Sequence, residues 1–433
     1  MKSSFSNIVS IVTITVICSL LTITFYLNIP DNWKFENPFA SFVANIMLYY
    51  LILIFIRTFI LLVMSFLEVI FNKKTIEVKS FPIVSIIIPA YNEESVLVPA
   101  IESVLKIDYP NIEILVVDDG SSDNTFAIAK TMEVHDQVRV IHQSNAGKSK
   151  ALNYGISQAA GDYYVCMDAD SVLSQNLLLE SIPYFEKDPN LAAVAGAVEV
   201  GNSKNILTAF QKLEYIIGLN FHKKAQSFLN MVTIVPGPIG VFDRRKVSNI
   251  GGYSSDTFAE DCDLSMRLLM EGYNIKYCDK ITAVTEAPDE ILALITQRYR
   301  WSRGMVQSIF KAITLLRTKF SMRGLLVVFY MFSETIVIPL VNFVFIIVTL
   351  EFALLYDIAE LMGPYFIGLT LLDVALCFYS VITERKVFSL LILSFLNRLT
   401  YGLVLEVIRF FSIFDELLKI PMKWGVLVRK GLN

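Results

Sequence analysis

Two acidic motifs carry the clearest chemical signal in this sequence of 433 residues. The first is "DAD", from Asp168 to Asp170, directly after an apolar run, and the second is "DDGSSD", which begins with Asp118 and Asp119. Two carboxylates one residue apart suit one hard divalent cation, Mg²⁺ or Mn²⁺, with diphosphate oxygens as further ligands. The other two aspartates offer acceptors for the imide N–H of a uracil, although one of them can instead cap the following helix.

The stretch "FAEDCDLSMRLL", residues 258–269, places acids directly ahead of an amphipathic helical pattern. Acids stabilise the start of a helix, so capping is one explanation. A carboxylate there also suits a general base that removes the proton of an attacking hydroxyl, and a base opposite a departing diphosphate gives inversion. We assign this role to Asp261 and expect Glu260 to contact the acceptor. The loop "PGPIGVFDRR", 236–245, is either a plain tight turn or a rigid wall that places Gly237 beside the substrate.

The stretch "TQRYRWSRG" combines cations with an aromatic residue just before the chain turns hydrophobic. On a helix, Gln297, Arg300 and Trp301 fall at positions i, i+3 and i+4 and share one face. The guanidinium suits diphosphate oxygens, and the indole suits the apolar face of a sugar ring. Arg298 falls on another side of the helix, where packing or lipid contact is expected.

These motifs need a scaffold that brings them together. Short β-branched or aromatic runs predict four buried strands, at Val84–Ile88, Ile112–Val117, Val138–Ile141 and Tyr163–Met167. Helical patterns lie between them, at 93–105, 124–133 and 148–160. This alternation predicts an α/β domain with a parallel, doubly wound sheet, in which ligands bind outside the carboxyl ends of the strands.

The residues that follow each predicted strand are polar, acidic or glycine-bearing. After the first strand, "PAYNEE" supplies Pro89, Ala90, Tyr91 and Glu93, which we expect at the nucleotide. After the third strand, Lys148 lies in a glycine-flanked loop that opens a helix, a position suited to a diphosphate. The alternative is a solvated surface lysine. One such strand ending is ordinary turn chemistry, but four at one edge indicate a nucleotide site.

The composition indicates that part of the chain lies in a membrane. Hydrophobic residues make up 54% of the chain, which is typical of a membrane protein with a soluble part, and the net charge of −4 gives no sign of nucleic-acid binding. No CxxC pair occurs, so we expect reduced, packed thiols. The cysteines are Cys18, Cys166, Cys262, Cys278 and Cys377.

Apolar stretches long enough to span a bilayer flank the polar middle of the chain. They cover residues 8–27, 42–70, 325–350 and 365–382. Lys73 and Lys74 follow the second stretch and indicate a cytoplasmic side, which makes the middle of the chain cytoplasmic. Arg57 lies within that stretch, and we expect it to face protein or water because a lipid-facing charge is costly.

A fifth apolar stretch, 387–411, carries a polar stripe. Its members are Arg398, Gly402, Glu406 and Arg409, spaced as on one face of a helix. We expect a span whose stripe faces the other helices, although a re-entrant or interfacial segment is an alternative.

Taken in order, "DDGSSD", "DAD", "AED" and "QRYRW" between apolar spans resemble the motifs of the processive family-2 glycosyltransferases. That family includes synthases of hyaluronan, chitin, cellulose and poly-N-acetylglucosamine. The stretch "TEAPDEILALITQRYRW" and the C-terminal "KWGVLVRKG" look most like the poly-N-acetylglucosamine branch. The sequence departs from the family at Ala259, where many members have Thr or Gly.

The resemblance implies a GT-A domain, a fold of nucleotide-diphospho-sugar transferases, inserted in the cytoplasm between membrane helices. It divides the chain into two N-terminal transmembrane helices (1–78), the catalytic domain (79–304), an interfacial helix region (305–324) and C-terminal transmembrane helices with a tail (325–433). It also implies base binding by Asp118 or Asp119, catalysis by Asp261, and a multi-pass location in the cell membrane.

The resemblance further implies a UDP-sugar donor, a divalent cation, a growing polysaccharide acceptor and a pore for the product, with a small membrane subunit as a further partner. We expect transfer of N-acetylglucosamine. The alternatives are transfer of a single sugar to a lipid or glycolipid, and a transporter or scaffold with a degenerate transferase domain. The intact acids and arginine motif argue against the degenerate domain.

Overall fold

The computed structural model describes residues 13, 38–71, 79–202, 205–355, 359–383 and 389–422. Apart from residue 13, the predicted first span, 8–27, lies outside the described residues. Cys18 and the C-terminal motif that begins at Lys423 lie outside them as well.

The centre of the chain forms an eight-stranded sheet with the spatial order β3-β2-β1-β4-β7-β6-β8-β5. The strands are β1 Val84–Ala90, β2 Ile112–Asp118, β3 Val138–His142, β4 Tyr163–Cys166, β5 Ser171–Leu173, β6 Leu191–Val200, β7 Gly240–Asp243 and β8 Asn274–Thr285. The four predicted strands are confirmed, and they pair in parallel as expected.

The prediction of a wholly parallel, doubly wound sheet is wrong for the second half of the domain. There, β7 runs antiparallel to β4 and β6, and β5 runs antiparallel to β8. The two reversed strands have only four and three residues. Such short strands carry no periodicity that reveals their direction, which is why the sheet is mixed where the sequence predicted parallel pairing.

Helices cover the sheet and continue into a bundle. They are α1 Pro38–Phe71, α2 Leu97–Leu105, α3 Thr125–Thr131, α4 Lys148–Gln158, α5 Leu177–Lys187, α6 Ile206–Glu214, α7 His222–Phe228, α8 Arg244–Asn249, α9 Glu260–Met270, α10 Ile291–Thr318, α11 Met322–Phe332, α12 Ile338–Leu355, α13 Ala359–Thr383, α14 Leu390–Asn397 and α15 Tyr401–Leu417. Two π-helical segments, Tyr215–Phe221 and Ser333–Val337, and one 3₁₀ turn, Met132–Val134, join some of them. The three helices predicted between the first strands are confirmed.

Both faces of the sheet are buried, which explains the uninterrupted apolar runs. In β1, Ile86 and Ile88 pack into the hydrophobic layer that contains α2, while Ile87 packs into the opposite layer with α4. Successive side chains of a strand point to opposite faces, so a strand covered on both sides needs apolar residues throughout. Polar residues that could take part in chemistry therefore lie at the ends of the strands and not in their middles.

Two described helices are long and apolar enough to cross a membrane, Asn45–Phe71 and Met322–Val348, and Ile367–Thr383 is a shorter apolar helix. The fifth stretch is different. α14 and α15 bend by 51° at a break, so the expectation of one continuous helix is wrong, and Arg398 lies in the break. A bend of this size fits either a broken span or a re-entrant segment. Meanwhile α10 continues without interruption across the predicted boundary at residue 304.

Buried polar pairs fasten the first described helix to the rest of the chain. Arg57 forms a two-pronged ion pair with Glu334 of a π-helical segment, which confirms that it faces protein. Farther along α1, Glu68 accepts a hydrogen bond from Ser227 at 2.6 Å and pairs with Lys276 of β8 at 3.3 Å. An unpaired charge in an apolar bundle is costly, so these pairs fix the packing of α1.

α10 packs closely against the start of α9 at Gly304. A Cβ atom built there would lie 2.5 Å from the backbone nitrogen of Ala259, the residue that precedes α9. We expect Gly304→Ala to force these helices apart and to lower the free energy of unfolding by about 1–3 kcal/mol, a typical cost of overpacking. Thermal unfolding of the purified protein in detergent measures this change.

Gly368→Ala is the matched control, because it is also a buried helical glycine. A Cβ there would have Leu51 as its nearest neighbour at 4.0 Å, so the higher helix propensity of alanine should leave stability unchanged or raised. Equal loss of stability in the two variants would contradict the close contact.

Candidate active site

A cavity of about 200 Å³ lies at the carboxyl ends of the central strands. It collects most of the residues predicted to do chemistry, although they come from distant parts of the chain. Those that line it are Lys148, Asp168, Asp170, Gly237, Glu260, Asp261, Gln297, Arg300 and Trp301. The topology thus brings the strand-end motifs, the acidic helix start and the arginine motif to one place.

The remaining predicted donor residues lie at the ends of β1 and β2 and do not line this cavity. Pro89 and Ala90 are the last residues of β1, and Tyr91 beyond them is exposed. The backbone N–H of Glu93 donates to Thr125 at 2.7 Å. Their contact with a nucleotide stays a prediction.

Asp119 organises the loop that leads to Lys148. Its Oδ1 accepts hydrogen bonds from the Gln143 side chain at 2.6 Å and from the backbone of Ala146 at 2.9 Å. Its Oδ2 accepts from the backbone of Gly147 at 2.8 Å. This carboxylate therefore replaces missing backbone partners in the loop and helps to hold the start of α4 in place.

Asp118 is completely buried, and its Oδ2 lies 2.7 Å from Nδ1 of His142. The alternative that one of the two aspartates caps the following helix is wrong, because Asn124 occupies that position. Recognition of a base by this pair stays a prediction.

Lys148 is the first residue of α4, directly after Gly147, whose φ of +91° favours glycine. Its ammonium nitrogen lies 2.6 Å from Asp168 Oδ1 and 3.1 Å from Glu260 Oε1. Burial alone would lower the pKa of Lys148, but the two carboxylates raise it well above its ordinary value. The alternative of a solvated surface lysine is therefore wrong.

The two aspartates of the "DAD" motif differ in their surroundings. Asp168 faces the cavity, while Asp170 is buried and accepts hydrogen bonds from Ser171 at 3.2 Å and Thr285 at 3.4 Å. Among the residues the structure describes, no group of three or more His, Cys, Asp or Glu side chains could hold a metal ion. Both residues line the cavity, and carboxylate oxygens are ligands that suit a hard divalent cation.

Asp261 lies in the first turn of α9, on the cavity wall. Burial raises the pKa of its carboxyl to about 6, the neighbouring Glu260 carboxylate adds to the rise, and the Lys148 ammonium opposes it. Its Oδ1 accepts from the backbone of Cys262 at 2.8 Å, and its Oδ2 from that of Gly237 at 3.3 Å. A carboxylate fixed in direction with a pKa near 6 is suited to accept a proton.

Gly237 lines the cavity wall because it has no side chain. A Cβ atom there would lie 3.0 Å from the Lys148 nitrogen and 3.3 Å from Asp168 Oδ2. The loop therefore approaches the charged residues as closely as backbone can, which agrees with a wall beside a substrate.

The predicted shared face of α10 is confirmed, because Gln297, Arg300 and Trp301 line the same cavity. Arg300 donates to the backbone oxygen of Phe258 at 3.3 Å. Arg298 points elsewhere and is buried against Glu214, so the packing alternative is right and lipid contact is wrong.

Sequence reasoning missed a second, larger cavity of about 380 Å³ between the apolar helices. Its polar wall includes Glu214, Asn342 and Asp373. The signal that could have found it is the polar stripe of the fifth apolar stretch, whose four members all line this cavity. The expectation that the stripe faces the other helices is confirmed.

Comparison with known proteins agrees with this geometry. Residues 85–251 match the family described as "Glycosyl transferase family 2", the family that the motifs of the sequence resemble. A mannosyltransferase from Pyrobaculum calidifontis, solved in complex with GDP-Man and Mn²⁺, aligns with 84% of this chain and 96% of its own. Its TM-score is 0.53 at 18% identity, which shows a shared GT-A-like fold.

Among curated proteins, the chain is similar to poly-beta-1,6-N-acetyl-D-glucosamine synthases. It is 34% identical to the protein from Staphylococcus aureus over 235 residues, which are 54% of this chain and 57% of that one. Against the Staphylococcus epidermidis protein, identity is 34% over 222 residues, which are 51% of this chain and 54% of that one. The chain thus spans a little over half the length of the curated relatives it matches.

We expect Asp119→Asn to loosen the loop before α4, because an amide nitrogen would face backbone donors that now contact a carboxylate. Losing charge-assisted hydrogen bonds of this kind should speed amide exchange of residues 143–147 by about tenfold or more. Hydrogen–deuterium exchange of the ligand-free protein measures this directly.

Asp123→Asn is the control, since Asp123 accepts from the backbones of Thr125 and Glu94 and not from this loop. Unchanged exchange of residues 143–147 in Asp119→Asn would refute the assigned role.

Proposed function

We propose that this protein is a membrane-embedded glycosyltransferase that extends a polysaccharide by inverting transfer from a UDP-sugar, with N-acetylglucosamine as the transferred sugar. One observation carries the proposal. A carboxylate with a raised pKa, Asp261, lines the same cavity as a cationic and acidic cluster, Lys148 with Asp168, and as the indole of Trp301. A base, a diphosphate site and a sugar platform are the three parts that such a transfer requires.

The donor side of the cavity suits a nucleotide diphosphate. Lys148 and Arg300 supply an ammonium and a guanidinium, and both bind phosphate oxygens well. Asp168 and Asp170 would hold a divalent cation, whose chemistry is to neutralise negative charge on a departing diphosphate. The Mn²⁺ and GDP-Man of the archaeal mannosyltransferase are consistent with this arrangement.

The reaction assigned to Asp261 balances as follows. Its ionised carboxylate removes the proton of an acceptor hydroxyl, and that oxygen forms a bond with the anomeric carbon of the donor sugar. The bond between this carbon and the diphosphate oxygen breaks, and UDP leaves with the electron pair. Attack from the side opposite the leaving group inverts the configuration.

The acceptor side of the cavity leads towards the membrane. Gln297 and Trp301 suit the hydroxyls and the apolar face of the terminal sugar, and Glu260 and Gly237 complete the wall. The second cavity beyond them combines polar and apolar surface, as a channel for an uncharged sugar chain requires. The names of the staphylococcal relatives support a polysaccharide product.

We further propose the domain order expected from the sequence, with the catalytic domain in the cytoplasm between membrane helices. The lysines after α1 and the two long apolar helices support a multi-pass protein in the cell membrane. A small membrane subunit is a further proposed partner.

The proposal is tested with purified protein in lipid nanodiscs, a panel of labelled UDP-sugars, and Mg²⁺ or Mn²⁺. We expect a long product from UDP-N-acetylglucosamine that a matching glycosidase degrades. A lipid product that carries a single sugar would show that the protein transfers one sugar to a lipid and does not extend a polymer. Absence of both transfer and donor hydrolysis would overturn the enzyme itself.

We expect Asp261→Asn to lower the transfer rate by about 10²–10⁴-fold, the usual contribution of a general base, while UDP binding measured by calorimetry stays nearly intact. Asp263→Asn is the control, because Asp263 lies on the same helix but pairs with Arg267 at 2.7 Å. Comparable activity in wild type and Asp261→Asn would exclude this residue as the base.

We expect kcat/KM of the wild type to rise with pH through about 6, because Asp261 acts as a base only after losing its proton. Glu260→Gln removes a negative neighbour that disfavours ionisation, so the rise should shift to lower pH. Glu271→Gln, at a more exposed ion pair with Lys319, is the control and should leave the profile unchanged. A shift to higher pH in Glu260→Gln would contradict the assignment.

A further inference from the structure

Arg298 is the buried cation at the junction of the two cavities. Its side chain is only 6% exposed, and its guanidinium forms a two-pronged ion pair with Glu214, with N–O distances of 2.7 and 3.0 Å. It belongs to the same helix as the residues that line the first cavity, but it lies on a different face. Neither the sequence nor the proposed chemistry gives it a role.

Two contacts connect Arg298 to the proposed acceptor residues. One of its N–H groups donates to the side-chain oxygen of Gln297, which leaves the amide nitrogen of Gln297 as the end that can donate into the cavity. Its guanidinium carbon lies 4.3 Å from the ring centroid of Trp301, a cation–π contact. Arg298 therefore sets the direction of an amide and the position of an indole.

The partner of Arg298 extends the connection to the membrane side. Glu214 also accepts a hydrogen bond from the hydroxyl of Tyr401, the first residue of α15. Both Glu214 and Tyr401 line the second cavity. A single chain of contacts thus runs from Trp301 through Arg298 and Glu214 to the wall of the larger cavity.

We propose that Arg298 is a positioning residue that, through its pair with Glu214, holds Gln297 and Trp301 in line with the membrane-side cavity and thereby sets the length of the product. The inference rests on the proposed function. Because Trp301 lines the first cavity and is the proposed platform for the end of the sugar chain, loosening it weakens the grip on that end. The pair affects retention of the acceptor and leaves the donor side untouched.

Arg303 provides a matched control on the same helix. It is 3% exposed and pairs with Glu416 of α15 at 2.7 Å, so it also ties α10 to the membrane-side helices. Its guanidinium lies over Phe258 and Tyr299, not over Trp301. Arg303→Lys therefore perturbs a similar buried ion pair without touching the acceptor residues.

The first test is spectroscopic and needs no activity. The chain has three tryptophans, and replacing Trp33 and Trp424 with phenylalanine leaves Trp301 as the only reporter. In this background we expect Arg298→Lys to shift the emission of Trp301 and to increase its quenching by acrylamide, while Arg303→Lys leaves both unchanged. Equal spectra for Arg298→Lys and its parent would overturn the positioning of Trp301.

The second test is kinetic. For Arg298→Lys we expect the apparent KM for an oligosaccharide acceptor to rise about tenfold, equivalent to about 1.4 kcal/mol, and the products to shorten, with the KM for the UDP-sugar unchanged. Glu214→Gln keeps the shape but removes the charge, so it should act in the same direction and replaces Arg298→Lys should that variant fail to fold. Arg298→Lys should add little to Trp301→Ala, because both remove the same contact.

The following outcomes would contradict the proposed role of Arg298 or the proposed function. An equal rise in the KM for donor and acceptor, or the same product shortening in Arg303→Lys, would reduce Arg298 to general packing and overturn the proposal. A wild-type protein that transfers no sugar would instead overturn the proposed function. In that case the fluorescence comparison still supports or overturns the positioning of Trp301 by Arg298.

Discussion

The structure of the site depends on the pairing of charges around the half-buried Lys148. Its ammonium lies between Asp168 and Glu260, which come from the end of β4 and the start of α9. An isolated ion in such a place is expensive, but a paired one holds its partners together. The loop that carries Lys148 is in turn fixed by Asp119. Three segments that are distant in sequence are thereby fastened at one point, and burial next to this group of charges raises the pKa of Asp261.

The same constraint recurs on the membrane side. Arg57 pairs with Glu334, Arg298 with Glu214, and Arg398 with Asp373 at 2.8 Å. In each pair the partners come from different segments of the chain, so each ion pair fixes how two segments pack. These charged residues therefore determine how the segments pack together. Those that line the second cavity also give it a polar wall.

The sequence predicts the features whose physical cause is a local pattern of residues. The strands β1 to β4 are predictable because burial on both faces demands continuous apolar runs, and their polar endings mark the site. The reversal of β5 and β7 is not predictable, because direction is decided by partners far along the chain.

The sequence also does not reveal which side chains contact each other. Arg298 is one position from Gln297 and three from Trp301, but spacing alone does not show that its guanidinium contacts both side chains. The spacing of Arg398 with Glu406 suggests one helix, but the chain breaks between them. The periodicity of a sequence identifies the faces of a regular helix. The contacts of a long side chain and the position of a helix break depend on the surrounding structure.

The most consequential element is α10, because one rigid helix serves three neighbours. Arg300 contacts the backbone at the start of the acidic segment, Trp301 lines the first cavity, and Arg298 contacts a residue that lines the second. Gly304 lets this helix approach the backbone before α9 closely, so little movement is tolerated there. Because successive residues of a helix are fixed about 100° apart, rotation of α10 would displace all three contacts at once. The contact of Arg300, the wall of the first cavity and the link to the second cavity are therefore coupled by the stiffness of a single helix.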